Sequence, residues 1–328
     1  MNIQSSYGDR RRLNIFKELS RNLQQVKQHP LISFEPDFED GVLCPICMKY
    51  FSQEGLDKKY DDCLTLEDVP PVKLGGKVRT LTCKKCNNKG GSDLESHLPR
   101  KILFDEFLKG NNLAPADGFI KLQDGTIPVS IRTDKESNIK LIYYPQRSKP
   151  EETANFFESM KRSGSDFSFQ MEITSKYREG RPEIALLRIA YLYAFSVFGY
   201  GFLLNPNLQI IRKQILNPDE RLLQSWGVFK NLSVPDNAVG VNILYAPKEL
   251  SAFFIIFDLI HELTTNRYGV LLPGPTSPGS GIYQELTRDN NRSRLDVKFE
   301  YFPETSYISP TFSPFISFYF WQEALQKA

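Results

Sequence analysis

The sequence predicts a mixed α+β protein in which a small cysteine-bearing segment precedes a larger domain of strands and helices. Three observations predict it. All five cysteines fall before residue 90. Helical and strand periodicities both recur along the remainder. The length of 328 residues exceeds the usual size of one domain. With 41% hydrophobic residues, 24% charged residues and a formal charge of +2, no molecule-wide field draws the chain to nucleic acid or membrane, so any such attraction is local.

Leu13, Phe16, Leu19, Leu23 and Val26 recur at helical spacing among Arg, Lys and Gln, which predicts a basic N-terminal helix over residues 8–28, ended by His29-Pro30. The start, MNIQSSYGDRRRLNIF, lacks the apolar stretch of a secretory leader, which points to the cytoplasm, where thiols stay reduced. The run GNNLAPADG is rich in turn formers and marks a boundary. The expected domains are 1–30, 31–110 and 111–328. In the last, GFIKLQDGTIPVSIR alternates on both sides of Asp-Gly and reads as a hairpin. Strands are expected at residues 139–144, 167–173, 238–245, 268–272 and 295–301, a helix between residues 253 and 265, and a loop at LPGPTSPGSG.

Residues 184–204 are long enough to span a bilayer, but Arg188, two glycines and several tyrosines interrupt the apolar run, and a buried helix is expected instead of a membrane span. Its aromatic side chains, Tyr191, Tyr193, Phe195, Phe198, Tyr200 and Phe202, are read as core.

Cys44-Pro-Ile-Cys47 and Cys83-Lys-Lys-Cys86 are two Cys-x-x-Cys pairs with 35 residues between them. Each such turn presents two thiolates on one side of a tight loop, and two turns complete the tetrahedron that Zn²⁺ prefers. Four thiolates close the coordination sphere, so this zinc is structural and any chemistry belongs to neighbouring residues. Cys63 lies between the pairs and is read as a small buried side chain.

The intervening segment carries Glu67-Asp68-Val69-Pro70-Pro71, then Leu74-Gly75-Gly76, then Cys83-Lys84-Lys85-Cys86-Asn87-Asn88, and later His97. In this order and spacing, over about 55 residues, it resembles the HNH (ββα-metal) endonucleases of the zinc-knuckle type. The resemblance implies a treble-clef-like ββα fold and metal-dependent hydrolysis of phosphodiester bonds, DNA before RNA, in bacterial restriction or antiphage defence. By position it makes Glu67 and His97 ligands of a catalytic Mg²⁺ or Mn²⁺, and Asn87 or Asn88 the brace of the active loop. Asp68 stands where the family has its motif histidine, the base. An imidazole titrates at about 6.5 and suits proton transfer at neutrality, whereas an aspartate at about 3.9 is a weaker base. Three readings follow: Asp68 is an inferior base, Asp68 joins Glu67 in gripping the ion, or the hairpin only binds nucleic acid or a protein partner.

Lys73, Lys77, Arg79, Lys84, Lys85 and Lys89 concentrate positive charge along this segment and are the candidate nucleic-acid contacts. Arg10, Arg11 and Arg12 either extend that patch or form a solvated helix start. A protein partner or a second copy is allowed for the C-terminal domain. His261-Glu262 starts like a zinc-protease helix, but Thr265 occupies the second histidine position, so no zinc-protease site is inferred.

Overall fold

The computed structural model describes residues 7–34, 37–110, 115–122, 124–133, 138–163, 168–262, 264–288 and 296–327. The chain divides into two compact units, Met1–Glu95 with Glu183–Ala328, and Ser96–Pro182. The division therefore falls at 95/96 and 182/183, not in the turn-rich run beginning at Gly110. Residues 111–114 of that run lie outside the described residues.

The first unit opens with helix α1 (Tyr7–Lys27), whose buried face carries Phe16, Leu19, Leu23 and Val26. The strands β1 (Val42–Leu43) and β2 (Tyr50–Phe51) pair antiparallel around the first Cys-x-x-Cys turn. The hairpin β3 (Leu64–Val69) and β4 (Lys77–Cys83) follows, and helix α2 (Lys84–Gly90) starts directly at its end and packs back on both strands. One π-turn, Gly91–Glu95, closes this stretch.

The second unit contains α3 (His97–Leu108), β5 (Ala116–Leu122), β6 (Gly125–Thr133), β7 (Ile139–Tyr143), α4 (Pro150–Ser163) and β8 (Gln170–Thr174). Its antiparallel sheet runs in the order β7-β6-β5-β8. The Asp-Gly hairpin is present, with Ile120 opposite Ile127, and α4 lays Phe156 on the core of Ile120, Ile127, Val129 and Ile131. Strands occupy the two later sites where the pattern predicted them, although Phe167 lies outside the described residues.

The chain returns to the first unit at Glu183, within α5 (Arg181–Phe198), and continues with α6 (Tyr200–Leu203), α7 (Gln209–Leu216), β9 (Val228–Lys230), β10 (Gly240–Ala246), β11 (Ala252–His261), β12 (Thr264–Pro273), α8 (Ile282–Arg288), β13 (Lys298–Tyr301) and α9 (Ile316–Leu325). The five-stranded sheet runs β13-β10-β11-β12-β9. The helix expected between residues 253 and 265 is instead strand β11, paired with β10 and β12. Its run AFFIIFDLIH is rich in aromatic and β-branched residues and buried along most of its length, and a strand buried on both faces shows no polar alternation to distinguish it from a helix. His261 accordingly ends a strand.

Helix α5 is apolar nearly all round because it is covered nearly all round: Ile184, Leu187, Ala190, Leu192, Ala194 and Phe195 are almost wholly buried. At its C-terminal end Phe198 meets Phe253 and Phe302 of the sheet region. Among the described residues no helix is long and apolar enough to cross a membrane.

Candidate metal centre and the hairpin beside it

The first knuckle is a tight turn between β1 and β2. The Cys44 N–H donates to Lys49 O at 2.9 Å and the Met48 N–H to Cys44 O at 2.8 Å. Met48 takes the left-handed φ of 62° that closes the loop. The second knuckle straddles the junction of β4 and α2, where the Lys84 N–H donates to Cys63 O at 2.7 Å. Cys63 is buried, as expected, and stands outside the sulfur cluster.

The four Sγ atoms of Cys44, Cys47, Cys83 and Cys86 lie within 4.8 Å of one another, and Cys47 Sγ is 3.8 Å from Cys83 Sγ. With metal–sulfur bonds of about 2.3 Å, the edge of an MS₄ tetrahedron is about 3.8 Å, so the donor set fits a metal such as zinc. Hydrogen bonds from Cys44, Cys83 and Cys86 drive the Cys47 thiol far down, while Cys83 and Cys86, as partners in the same cluster, are driven up. Two deeply buried tyrosines clamp the first knuckle. Tyr191 Oη donates to Pro45 O at 2.8 Å. Tyr200 Oη donates to Leu43 O at 2.7 Å and accepts from the Leu43 N–H at 2.8 Å. Burial holds the Tyr191 phenol up at about 12 and drives that of Tyr200 higher still, so both remain donors.

Glu67 and Asp68 sit in β3 beside a bulge: Glu67 is opposite Thr80 and Asp68 opposite Val78, leaving Arg79 unpaired in the register. Successive strand residues turn to opposite sides. Glu67 points inward, 2% exposed, accepts a hydrogen bond from Thr82 Oγ1, and lies 3.0 Å from Arg188 Nη2. Arg188, 1% exposed, also pairs through Nη1 with Glu95 at the end of the π-turn. Gly90 makes this possible, since a Cβ there would lie 2.4 Å from Arg188 Nε. Burial works against charge on Arg188, but the two carboxylates outweigh it and raise its pKa. Burial pushes Glu95 up to about 7 despite Arg188. Asp68, partly buried, is raised by desolvation and lowered by Arg11.

The raised Glu95 pKa has a definite sign. Between its unfolded value of 4.5 and its folded value of about 7, the native state holds a proton that the unfolded chain has released. The contribution of Glu95 to stability is therefore fully present below pH 4.5 and is lost as pH rises through about 7, at up to about 1.4 kcal/mol per pH unit. Glu95→Gln is expected to flatten that part of the stability curve in urea titrations run from pH 5 to 7.

Of the two asparagines, Asn87 bonds the hairpin: its Nδ2 donates to Thr65 Oγ1 and Leu66 O, both at 3.0 Å. Asn88 is exposed. The Leu-Gly-Gly turn has a steric cause: a Cβ on Gly76 would sit 1.5 Å from Pro70 O. His97 opens α3 in the second unit, and its Nδ1 accepts from the Arg178 N–H at 3.1 Å. It thus starts a helix where the sequence reading placed it late on one. Among the described residues, the four cysteines are the one group of three or more Cys, His, Asp or Glu whose ligand atoms converge.

Of the candidate nucleic-acid contacts, Lys73, Lys77, Lys85 and Lys89 are exposed and Lys84 half-buried. Lys89 Nζ donates to Leu216 O at 2.7 Å. Arg79 is a structural residue: Nε donates to Val69 O and Nη2 to Tyr193 Oη, both at 3.0 Å, with the guanidinium carbon 3.9 Å from the Tyr193 ring centroid. The sequence reading missed Glu95 and the role of Arg188. The available signal was a lone arginine in an otherwise apolar helix, since a buried charge requires a partner.

No family model matches the chain, and neither a curated protein nor a solved structure matches it.

Proposed function

We propose that the cysteine-bearing segment is a zinc-braced ββα module of treble-clef type that binds DNA through its hairpin and helix without cutting it. One observation carries this reading: the Arg188 guanidinium lies against Glu67 and Glu95, so the carboxylate that the HNH pattern assigns to a hard cation already serves a fixed one. Asp68 in place of the motif histidine points the same way, because its carboxylate is a weaker base than imidazole. Zinc, held by Cys44, Cys47, Cys83 and Cys86, would supply cross-linking of hairpin to helix. Asn87, Gly76 and Arg79 shape the hairpin, and the exposed Lys73, Lys77 and Lys85 supply attraction for phosphate.

A second reading is favoured by Asp68 itself. Its pKa is raised by burial, which makes it a better base than a solvated aspartate, and it supports an HNH-type, Mg²⁺- or Mn²⁺-dependent endonuclease in restriction or antiphage defence. Supercoiled plasmid separates the two. The expected result is a gel shift equal in magnesium, manganese or chelator, with no nicked circles. Nicking that needs manganese and disappears in Glu67→Gln establishes the nuclease instead. A protein-interaction module is favoured if duplex DNA fails to bind even at low salt.

A further inference from the structure

The DNA-binding reading leaves open which surface meets the phosphate backbone, and helix α1 offers one. Its buried face, Phe16, Leu19, Leu23 and Val26, packs into the first unit. The opposite face carries Arg10, Asn14, Lys17 and Arg21, all exposed. Their spacings of four, three and four residues align them in one stripe along the helix. From Arg10 to Arg21 the stripe spans about 16 Å at 1.5 Å per residue. None of its three cations has an ion-pair or hydrogen-bond partner among the described residues. Asp9, the carboxylate nearest its start, is taken by Arg12 and Lys58. Glu18 is the one exposed acid on the flank.

The start of α1 is held on the hairpin by residues outside the stripe. Arg11 Nη2 donates to Val78 O at 2.9 Å and Arg12 Nη1 to Leu64 O at 3.2 Å. These bonds fix the start of α1 against β3 and β4, next to Lys77 at the first position of β4. An amphipathic helix needs only a polar outer face to be soluble, and mixed charges would serve. Here the outer face is cationic and unpaired.

We infer that Arg10, Lys17 and Arg21 of α1 form a track for the phosphate backbone of duplex DNA. This rests on the DNA-binding reading of the hairpin module and adds the surface that supplies most of the affinity. Duplex DNA presents one negative charge per roughly 1.7 Å, so a cationic row of this length faces several phosphates and releases their counterions on binding. Such contacts position DNA and carry no sequence preference.

The test is fluorescence anisotropy of a labelled random-sequence duplex of about 30 base pairs, titrated with the zinc-loaded full chain over a salt series. The comparison is a variant carrying Arg10→Ala, Lys17→Ala and Arg21→Ala. These positions are exposed and alanine favours helix, so the far-UV spectrum and Tm are expected to match the parent. The expected result is a slope of log affinity against log salt smaller in magnitude by roughly 2–3, with affinity near 0.1 M salt lower by roughly 100-fold. If the parent binds and the variant keeps its slope and affinity, the track is overturned while the DNA-binding reading stands. If the parent does not bind at low salt, that reading falls and takes the track with it. A variant that loses binding to poly-glutamate or phosphatidylserine vesicles, yet keeps the parent's slope on DNA, overturns the track in favour of another anionic partner.

Discussion

Replacing Cys83 by serine, or stripping the metal with a strong chelator, is expected to melt the first unit. The four sulfurs tie the β1–β2 knuckle to the junction of β4 and α2. Structural zinc in small modules contributes on the order of 10 kcal/mol, comparable with the whole stability of a typical domain. The effect travels beyond the module because the first knuckle is bonded to buried Tyr191 and Tyr200, and Tyr191 belongs to the helix that carries Arg188. The expected outcome is one zinc per chain in the parent, and in Cys83→Ser a loss of zinc with a Tm lower by roughly 10 °C or more. Calorimetry and metal analysis on the same samples check it. A metal-free parent with an unchanged transition contradicts it.

The second large effect is at Arg188. Arg188→Met keeps much of the side-chain volume but leaves two carboxylates, one 2% exposed, without their cation. Removing one member of a buried ion pair costs about 3–5 kcal/mol, whereas replacing every charged member with neutral groups of similar size is often close to neutral. Arg188→Met is therefore expected to lower the urea midpoint sharply, and adding Glu67→Gln and Glu95→Gln to restore most of it. The triple replacement separates loss of charge balance from loss of packing. If Arg188→Met alone changes stability by less than about 1 kcal/mol, the three charges do not act as a buried unit.

The parts of this site that were legible in the sequence are those fixed by local spacing. Two Cys-x-x-Cys turns bring sulfurs together almost regardless of what lies between them, and the four cysteines do cluster. The amphipathic α1 was legible for the same reason. The carboxylates were not. Glu67, Glu95 and Arg188 meet across 121 residues of chain, and no periodicity records an ion pair at that distance. Nor does it record that residues 96–182 form a unit of their own, so that the module and the α5 region belong to one body. The β11 strand was read as a helix because burial on both faces removed the alternation that identifies strands.

A manganese titration of the zinc-loaded chain, followed by electron paramagnetic resonance, decides whether the Glu67 carboxylate is committed to Arg188. The expected result is no tightly bound Mn²⁺ in the parent, with the free-ion signal rising from the first addition. One tightly bound Mn²⁺ per chain, lost in Glu67→Gln while zinc content stays at one, contradicts the placement of Arg188 as the cation of this site and restores the nuclease reading.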